Sequence, residues 1–195
     1  MYIKDQKELE FLTFYTQCIN FSRDLINSPA NKLNPVSYYT KIKNNQMFKK
    51  FNFVEYSEKD IGTQFPLTYA VGKSSSVKPK VIEITNKKIL QKDKPLVIIG
   101  KGVTFDTGGV NIKPGNSMRN MKKDMGGSAI AISLFLLANY SLKKTKIVLI
   151  APLAENSVSS KSMRPGDIYK SASGKSVEIA VSYTHLTLPT RCLGW

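Results

Sequence analysis

Two short apolar runs, separated by a glycine-rich stretch and an apolar segment, constrain the fold of this chain more than any other feature. The runs are residues 96–99 and 146–151, and the segments between them are residues 100–127 and 128–140. A continuous apolar run is typical of a strand that is covered on both faces, and the segment 128–140 has the length of a helix. Strand, helix and strand in this order predict a βαβ unit of a parallel sheet, and therefore an α/β fold.

Further helices and strands are predicted upstream of this unit. Residues 5–27 form an amphipathic pattern that ends before Ser28-Pro29, because the residue before a proline avoids the helical region. A second helix is predicted over residues 36–49, and strands are predicted over residues 51–56 and 80–85. The apolar side chains at helical spacing in the first helix are Phe11, Phe14, Cys18, Phe21 and Leu25. Together these elements predict a partial mixed or parallel sheet flanked by helices.

The glycine-rich segment 100–127 is the candidate functional site. It leaves the carboxyl end of the first strand, where ligands bind in parallel sheets, and loops of this length are usually functional. Asp106 and Asp124 lie among its glycines, and carboxylate oxygens are ligands of hard divalent cations. Lys101 and Lys113 belong to the same segment. Beside a metal ion, a lysine amine either loses its proton and becomes a ligand, or stays charged and stabilises an oxyanion.

Simpler interpretations of the same residues remain open. The two aspartates are compatible with a turn and a helix cap, and the two lysines with solvated surface charges. Gly126-Gly127 opens the predicted helix and would suit a phosphate group, although the spacing of Gly100 and Gly102 matches no nucleotide-binding fingerprint.

Composition excludes several classes of protein. The chain carries 29 basic and 14 acidic residues, a net charge of +15, but 25 of the basic residues are lysines that are scattered along the chain. Base and phosphate recognition favours the bidentate guanidinium of arginine, so we expect solvated surface charge and no specific nucleic acid partner. A single histidine, His185, and two cysteines are too few for a zinc finger or a disulfide scaffold.

The sequence predicts neither a membrane span nor a secretory signal. The N-terminal residues 1–10 are charged, and the longest apolar segment, 128–140, is shorter than the roughly 20 residues that a membrane span needs. Because Cys18 and Cys192 form no disulfide framework, we expect a reduced, cytoplasmic compartment.

The last stretch, residues 181–195, differs from the rest of the chain in composition. It holds the only histidine and the only tryptophan, and it contains no Lys, Asp or Glu. Composition alone leaves two interpretations open, a segment of foreign origin or an ordinary apolar terminus.

The order of residues in the glycine-rich segment is distinctive. Residues 100–109 read Gly-Lys-Gly-Val-Thr-Phe-Asp-Thr-Gly-Gly, Lys113 follows after three further residues, and residues 121–127 read Met-Lys-Lys-Asp-Met-Gly-Gly. At every fixed position and spacing this resembles the signature of the leucyl (cytosol) aminopeptidase family. The resemblance covers about residues 20–180 and includes the segments 23–31, 154–156, 164–167 and 173–178.

The resemblance implies a metallo-exopeptidase that holds two divalent ions, zinc or manganese, in one site. Lys101 would be a metal ligand through its amine, Asp106 would bridge the two ions, and Asp124 would bind one of them. Lys113 would be the catalytic residue that polarises the scissile carbonyl, and Met121 would line the pocket for the substrate's first side chain. Family members release N-terminal residues from peptides and usually assemble as homo-hexamers.

The chain departs from the family's pattern after Ala180. There the family continues Asn-Thr-Asp-Ala-Glu-Gly-Arg, in which Asp and Glu complete the metal site and Arg is the second catalytic residue, acting with a bound bicarbonate. Here Val-Ser-Tyr-Thr-His follows. Two of five expected metal ligands and the catalytic arginine are therefore missing. We expect weak metal binding, little or no activity, and an unpaired strand edge that favours aggregation.

These observations predict three parts of the chain. Residues 1–30 would be an interdomain linker helix, residues 31–180 the N-terminal half of an aminopeptidase catalytic domain, and residues 181–195 a non-native tail joined to a truncated gene. A non-catalytic basic binding remnant and a phosphate- or nucleotide-binding α/β domain are the alternative functions.

Overall fold

The structure, a computed structural model, describes residues 5–87, 90, 92 and 94–180. Its α-helices are α1 (Gln6–Asn27), α2 (Pro35–Asn44), α3 (Glu58–Gln64), α4 (Pro66–Gly72), α5 (Gly115–Met118) and α6 (Gly126–Ser141), and 3₁₀ turns lie at Gln46–Phe48 and Met121–Lys123. Its strands are β1 (Asn52–Val54), β2 (Lys80–Thr85), β3 (Leu96–Ile99), β4 (Gly102–Asp106), β5 (Ile147–Asn156), β6 (Ile168–Lys170) and β7 (Ser176–Glu178).

A mixed sheet with the strand order β1-β2-β5-β3 forms the centre of the fold. β2 is antiparallel to both β1 and β5, whereas β3 and β4 run parallel to β5. β5 is long enough for β3 to pair with its first part and β4 with its last part. α6 connects β4 to β5, so the predicted α/β class and its parallel crossover are confirmed.

The core lies between the sheet and two long helices. α1 packs on α6, and α6 packs on β5, with Leu25, Phe135 and Leu149 among the buried side chains. The predicted helix over residues 5–27 is confirmed and ends at Ser28, as expected from the proline that follows. Since α1 contributes to the same core as α6, its assignment to a separate interdomain segment stays a prediction.

Buried hydroxyl groups join the helices inside this apolar contact. The hydroxyl of Ser133 in α6 donates to the carbonyl of Cys18 in α1 at 2.6 Å, and the hydroxyls of Tyr38 and Ser128 lie 3.0 Å apart. Because a buried hydroxyl costs free energy unless it is paired, these bonds favour one register between the helices. The contact between Tyr38 and Ser128 holds the first turn of α6, from which the candidate site extends.

The expectation that the first apolar run is covered on both faces is wrong. Leu96, Val97 and Ile99 are exposed, and Ile99 keeps 70% of its surface open to solvent. Within the described residues β3 pairs with β5 on one side only, so it is an edge strand. Val97 and Ile99 lie on the face opposite to Ile98, and the described residues do not cover that face.

Two further expectations need correction. The segment 100–127 is not one irregular loop, because it contains β4, α5 and a 3₁₀ turn. The second helix is shorter than predicted and ends at Asn44, because the side chain of Asn45 accepts the N–H of Met47 and begins a separate turn. The strand predicted over residues 80–85 has these bounds in the structure.

Some predictions fall outside the structural description. Residues 181–195, with His185 and Cys192, lie outside the described residues. No helix in the part of the chain that the structure describes is long and apolar enough to cross a membrane.

We predict that Ile99→Lys reduces self-association without changing the fold. A charge placed at this exposed edge position stays solvated and repels a second edge, and the free energy of unfolding should change by about 0.5 kcal/mol or less. Sedimentation velocity measures the first effect and thermal unfolding the second.

The matched control is Ile98→Lys, at the neighbouring position. Ile98 is only 9% exposed, so the same lysine would be buried without a partner and should unfold the chain. Equal behaviour of the two variants would contradict the difference in burial between Ile98 and Ile99.

Candidate metal centre

The candidate site lies where β4 and β5 end. The ladder between these strands shifts in register between Val103 and Phe105, and Asp106 then lies directly opposite Asn156. Asp106 and Asn156 are the last residues of their strands. The site is therefore at the carboxyl edge of the parallel strands, as the sequence predicts, and irregular pairing is common beside functional sites.

Asp106 and Lys113 form a buried ion pair. Nζ of Lys113 lies 2.5 Å from Oδ2 of Asp106, and only 2% of the lysine side chain and 17% of the aspartate side chain are exposed. The other carboxylate oxygen, Oδ1, accepts the N–H of Gly108 at 3.0 Å and an N–H of the Asn156 amide at 2.8 Å. Burial acts to raise the pKa of Asp106, but these hydrogen bonds and the lysine charge outweigh it and hold the pKa below its usual value.

A second lysine–aspartate pair is formed by Lys101 and Asp124. Nζ of Lys101 lies 2.9 Å from each carboxylate oxygen, but only Oδ1 has hydrogen-bond geometry, and Oδ2 is buried without a hydrogen-bond partner. A buried carboxylate oxygen that lies beside an ammonium but accepts no hydrogen bond retains lone pairs for a cation. β4 contacts the 3₁₀ turn that precedes Asp124, so this pair and the first one belong to the same region.

Glycine allows two segments of the site to approach each other closely. A Cβ atom on Gly100 would lie 2.6 Å from the carbonyl oxygen of Gly127, a distance that atoms do not tolerate. The close approach lets the N–H of Ser128 donate to the carbonyl of Lys101 at 2.8 Å. This bond sets Lys101 beside the first turn of α6 and thus near Asp124.

A second glycine turns the chain after β4. Gly108 has a φ of +94°, in the left-handed region that other residues rarely adopt. The turn brings the chain back, so that the N–H of Lys113 donates to the carbonyl of Thr107 at 2.9 Å. The side chain of Lys113 can therefore reach Asp106, seven residues earlier in the chain.

The simpler interpretation of Asp106 as a turn residue is correct, but it does not exclude a role for Asp106 in the site. Its carboxylate accepts the N–H two residues later and binds Lys113 at the same time. Asp124 is not a helix cap, because α6 begins after Met125 and has no side-chain cap. The phosphate interpretation of Gly126-Gly127 stays a prediction. Lys113 is buried and is not a solvated surface lysine.

Met121 lies half-buried in the 3₁₀ turn that leads to Asp124. The next residue, Lys122, donates from Nζ to the carbonyl of Asn27 at 2.8 Å, so the end of α1 holds this turn in place. Within the described residues, no three His, Cys, Asp or Glu side chains come together as a metal site. The charged groups that pair with the two aspartates are lysine amines.

The fold and the site define an α/β protein with lysine–aspartate pairs at the carboxyl ends of parallel strands. The model of the cytosol aminopeptidase family, catalytic domain, matches residues 20–182. The chain belongs to the cytosol aminopeptidase family, which confirms the resemblance seen in the sequence.

Relatives and solved structures agree with this membership. The probable cytosol aminopeptidase of Corynebacterium glutamicum is 37% identical over 164 residues, which cover 84% of this chain and 33% of that protein. The crystal structure of the cytosol aminopeptidase from Coxiella burnetii has a TM-score of 0.78 at 35% identity, covering 89% of this chain and 37% of that one. The bottromycin maturation enzyme BotP in complex with Mn has a TM-score of 0.80 at 26% identity, covering 91% and 38%. The chain thus spans about a third of the length of the curated relatives it matches.

Asn156 contacts the site, although the sequence-based prediction assigned it no role. It lies in a segment, 154–156, that resembles the family. Asn156 could have been predicted from its position at the end of a predicted strand. The ends of adjacent parallel strands meet at one edge of a sheet, so a polar residue there is a candidate for the site.

We predict a large loss of stability when one partner of the buried pair is removed. Lys113→Met and Asp106→Asn each remove one member of the ion pair, so the buried charge that remains is compensated less well, at a cost of about 3–5 kcal/mol. The double variant should cost less than the sum. Urea unfolding at pH 7 with a chelator present measures all three. Strictly additive costs would contradict the pairing.

The lowered pKa of Asp106 predicts a specific acid sensitivity. Because its carboxylate is ionised more easily in the folded than in the unfolded chain, it contributes stability above about pH 4 that is lost as the pH falls through its folded-state pKa. Asp106→Asn should therefore show a flatter dependence of unfolding free energy on pH below about 4. An unchanged slope in urea titrations across that range would contradict this assignment.

Proposed function

We propose that this chain is part of a metal-dependent aminopeptidase that releases N-terminal amino acids, of leucine type, from peptides. The observation that carries the proposal is the pair of lysine–aspartate contacts at the carboxyl ends of parallel strands, within the residues that match the family's catalytic domain. Residues 31–180 would form half of that domain, preceded by a linker helix within residues 1–30 and followed by a non-native tail.

Lys101, Asp106 and Asp124 are the proposed ligands of two divalent ions, manganese or zinc. The donor chemistry fits such ions, because it combines carboxylate oxygens with an amine and includes the buried Oδ2 of Asp124, which has no hydrogen-bond partner. To serve as a ligand, Lys101 must lose its proton and leave the hydrogen bond with Asp124. More than half of its side chain is exposed, so it is free to move. A solved relative that carries manganese supports this choice of metal.

Lys113 is the proposed catalytic residue. Its ammonium is almost completely buried and is oriented by Asp106, so its charge acts on a carbonyl oxygen with little screening by water. Met121 would line the pocket for the first side chain of the substrate. When bound, the two ions would activate a water molecule, hold the free α-amine and polarise the scissile carbonyl.

The residues of this chain supply only part of the proposed site. The segment after Ala180 differs from the family's pattern, which contains two further ligands and an arginine. Three ligands do not hold two ions well, so metal binding should be weak and hydrolysis slight. Hexameric assembly and a cytoplasmic location of the whole protein belong to the same proposal.

We predict that Mn²⁺ binds weakly to the full chain and that binding depends on the two aspartates. Asp106→Asn and Asp124→Asn each remove a charged ligand and should abolish measurable binding, as followed by Mn²⁺ electron paramagnetic resonance. The control is Lys123→Ala, which removes an exposed lysine next to Asp124 and should leave binding unchanged. Equal binding by all variants would contradict the ligand assignment.

A separate prediction concerns activity. The chain with added Mn²⁺ or Zn²⁺ should hydrolyse leucine p-nitroanilide no faster than a sample without protein, because the proposed site is incomplete. Release of nitroaniline is followed by absorbance. Turnover that a chelator stops and Lys113→Met removes would show that the residues present suffice for catalysis.

A further inference from the structure

Asn156 is the last residue of β5 and contacts the site from the end of this strand. Its carbonyl accepts both the N–H of Thr107 at 3.0 Å and the hydroxyl of Thr107 at 2.8 Å. These bonds tie the end of β5 to the residue that follows Asp106. The backbone that carries the Asn156 side chain is therefore held by two hydrogen bonds. Side chains that must keep an exact position in a site are usually supported in this way.

The register shift decides which residue faces Asp106. Val103 pairs with Ala154, so an unbroken ladder would set Asp106 opposite Ser157. The shift after Val103 sets it opposite Asn156 instead. The irregularity thus brings an amide next to the carboxylate.

The carboxylate dictates how the amide is oriented. Because an ionised carboxylate only accepts hydrogen bonds, the NH₂ group of Asn156 must face Oδ1 of Asp106, from which its nitrogen lies 2.8 Å away. This orientation leaves Oδ1 of Asn156 buried without a hydrogen-bond partner. The amide therefore donates to the buried carboxylate at the cost of one oxygen that accepts no hydrogen bond.

The contacts of Asp106 indicate what the amide does. Gly108 and Asn156 donate to one carboxylate oxygen, and Lys113 donates to the other. Two donors on Oδ1 restrict rotation of the carboxylate. The buried ammonium of Lys113 is held by the oxygen whose position is fixed in this way.

We propose that Asn156 is a positioning residue that orients the Asp106 carboxylate and, through it, the Lys113 ammonium. The catalytic use of this positioning rests on the proposed function, whereas the hydrogen bond between Asn156 and Asp106 is independent of it. Asn156 is not assigned as a metal ligand. Residues that orient a ligand in this way typically change metal affinity tenfold or more when they are replaced.

The test compares Asn156→Leu with Asn139→Leu in the full chain. Both substitutions replace an asparagine whose NH₂ group donates one hydrogen bond, but Asn139 donates to the carbonyl of Phe135 within α6. Thermal unfolding measures the general cost of each substitution. Asn156→Ala serves as a second variant if the leucine does not fit the space.

The deciding measurement is the NMR signal of the Lys113 ammonium in the metal-free chain, identified by its loss in Lys113→Met. We expect the signal to shift or disappear in Asn156→Leu and Asn156→Ala and to stay in place in Asn139→Leu. A signal that is unchanged in the Asn156 variants would overturn the positioning role, whatever their stability.

A Mn²⁺ titration of the same variants separates this inference from the proposed function. We expect Asn156→Leu to bind Mn²⁺ about tenfold more weakly than the unsubstituted chain. If the unsubstituted chain binds no Mn²⁺, the metal proposal fails while the ammonium signal still decides the role of Asn156. If Mn²⁺ binds and the Asn156 variants leave both affinity and signal unchanged, the positioning role fails alone.

Discussion

The parallel ladder between β4 and β5 is the constraint on which the rest of the site depends. Its register shift sets the last residue of β4, Asp106, opposite the last residue of β5, Asn156. The carboxylate then receives donors from three directions, which are a turn N–H, the asparagine amide and the Lys113 ammonium. A buried carboxylate is tolerable only with such partners, so the ladder and the polar contacts depend on each other.

Close packing of the backbone explains how the second lysine–aspartate pair, Lys101 and Asp124, is formed. Because Gly100 has no side chain, the start of β4 approaches the first turn of α6, and Lys101 comes within 2.9 Å of Asp124. α6 is held in turn by α1 through apolar packing and buried hydroxyls, such as the bond from Ser133 to Cys18. The position of the charged site therefore depends on the apolar core, because the core holds α6 and α6 lies beside Lys101 and Asp124.

The sequence identified which residues form the candidate site, but not how deeply each is buried or which residues it contacts. The motif located Lys101, Asp106, Lys113 and Asp124, and the structure brings them together in two pairs. Their roles as ligands and catalyst stay predictions. The motif did not distinguish the buried Lys113 from the half-exposed Lys101, because burial depends on segments that are distant in the chain. Nor did it assign a role to Asn156, whose contact arises from strand pairing across fifty residues.

The sequence by itself determined the βαβ order, the long amphipathic first helix and the glycine-rich segment with its charged residues. These features depend on local periodicity and on turn chemistry, which neighbouring residues carry. Only the tertiary structure decided that β3 is an edge strand, that the ladder shifts before Asp106, and that one lysine is buried while the other is exposed. The physical reason is that burial and register are set by which distant segments pack together, and an apolar run has the same composition at the centre or the edge of a sheet.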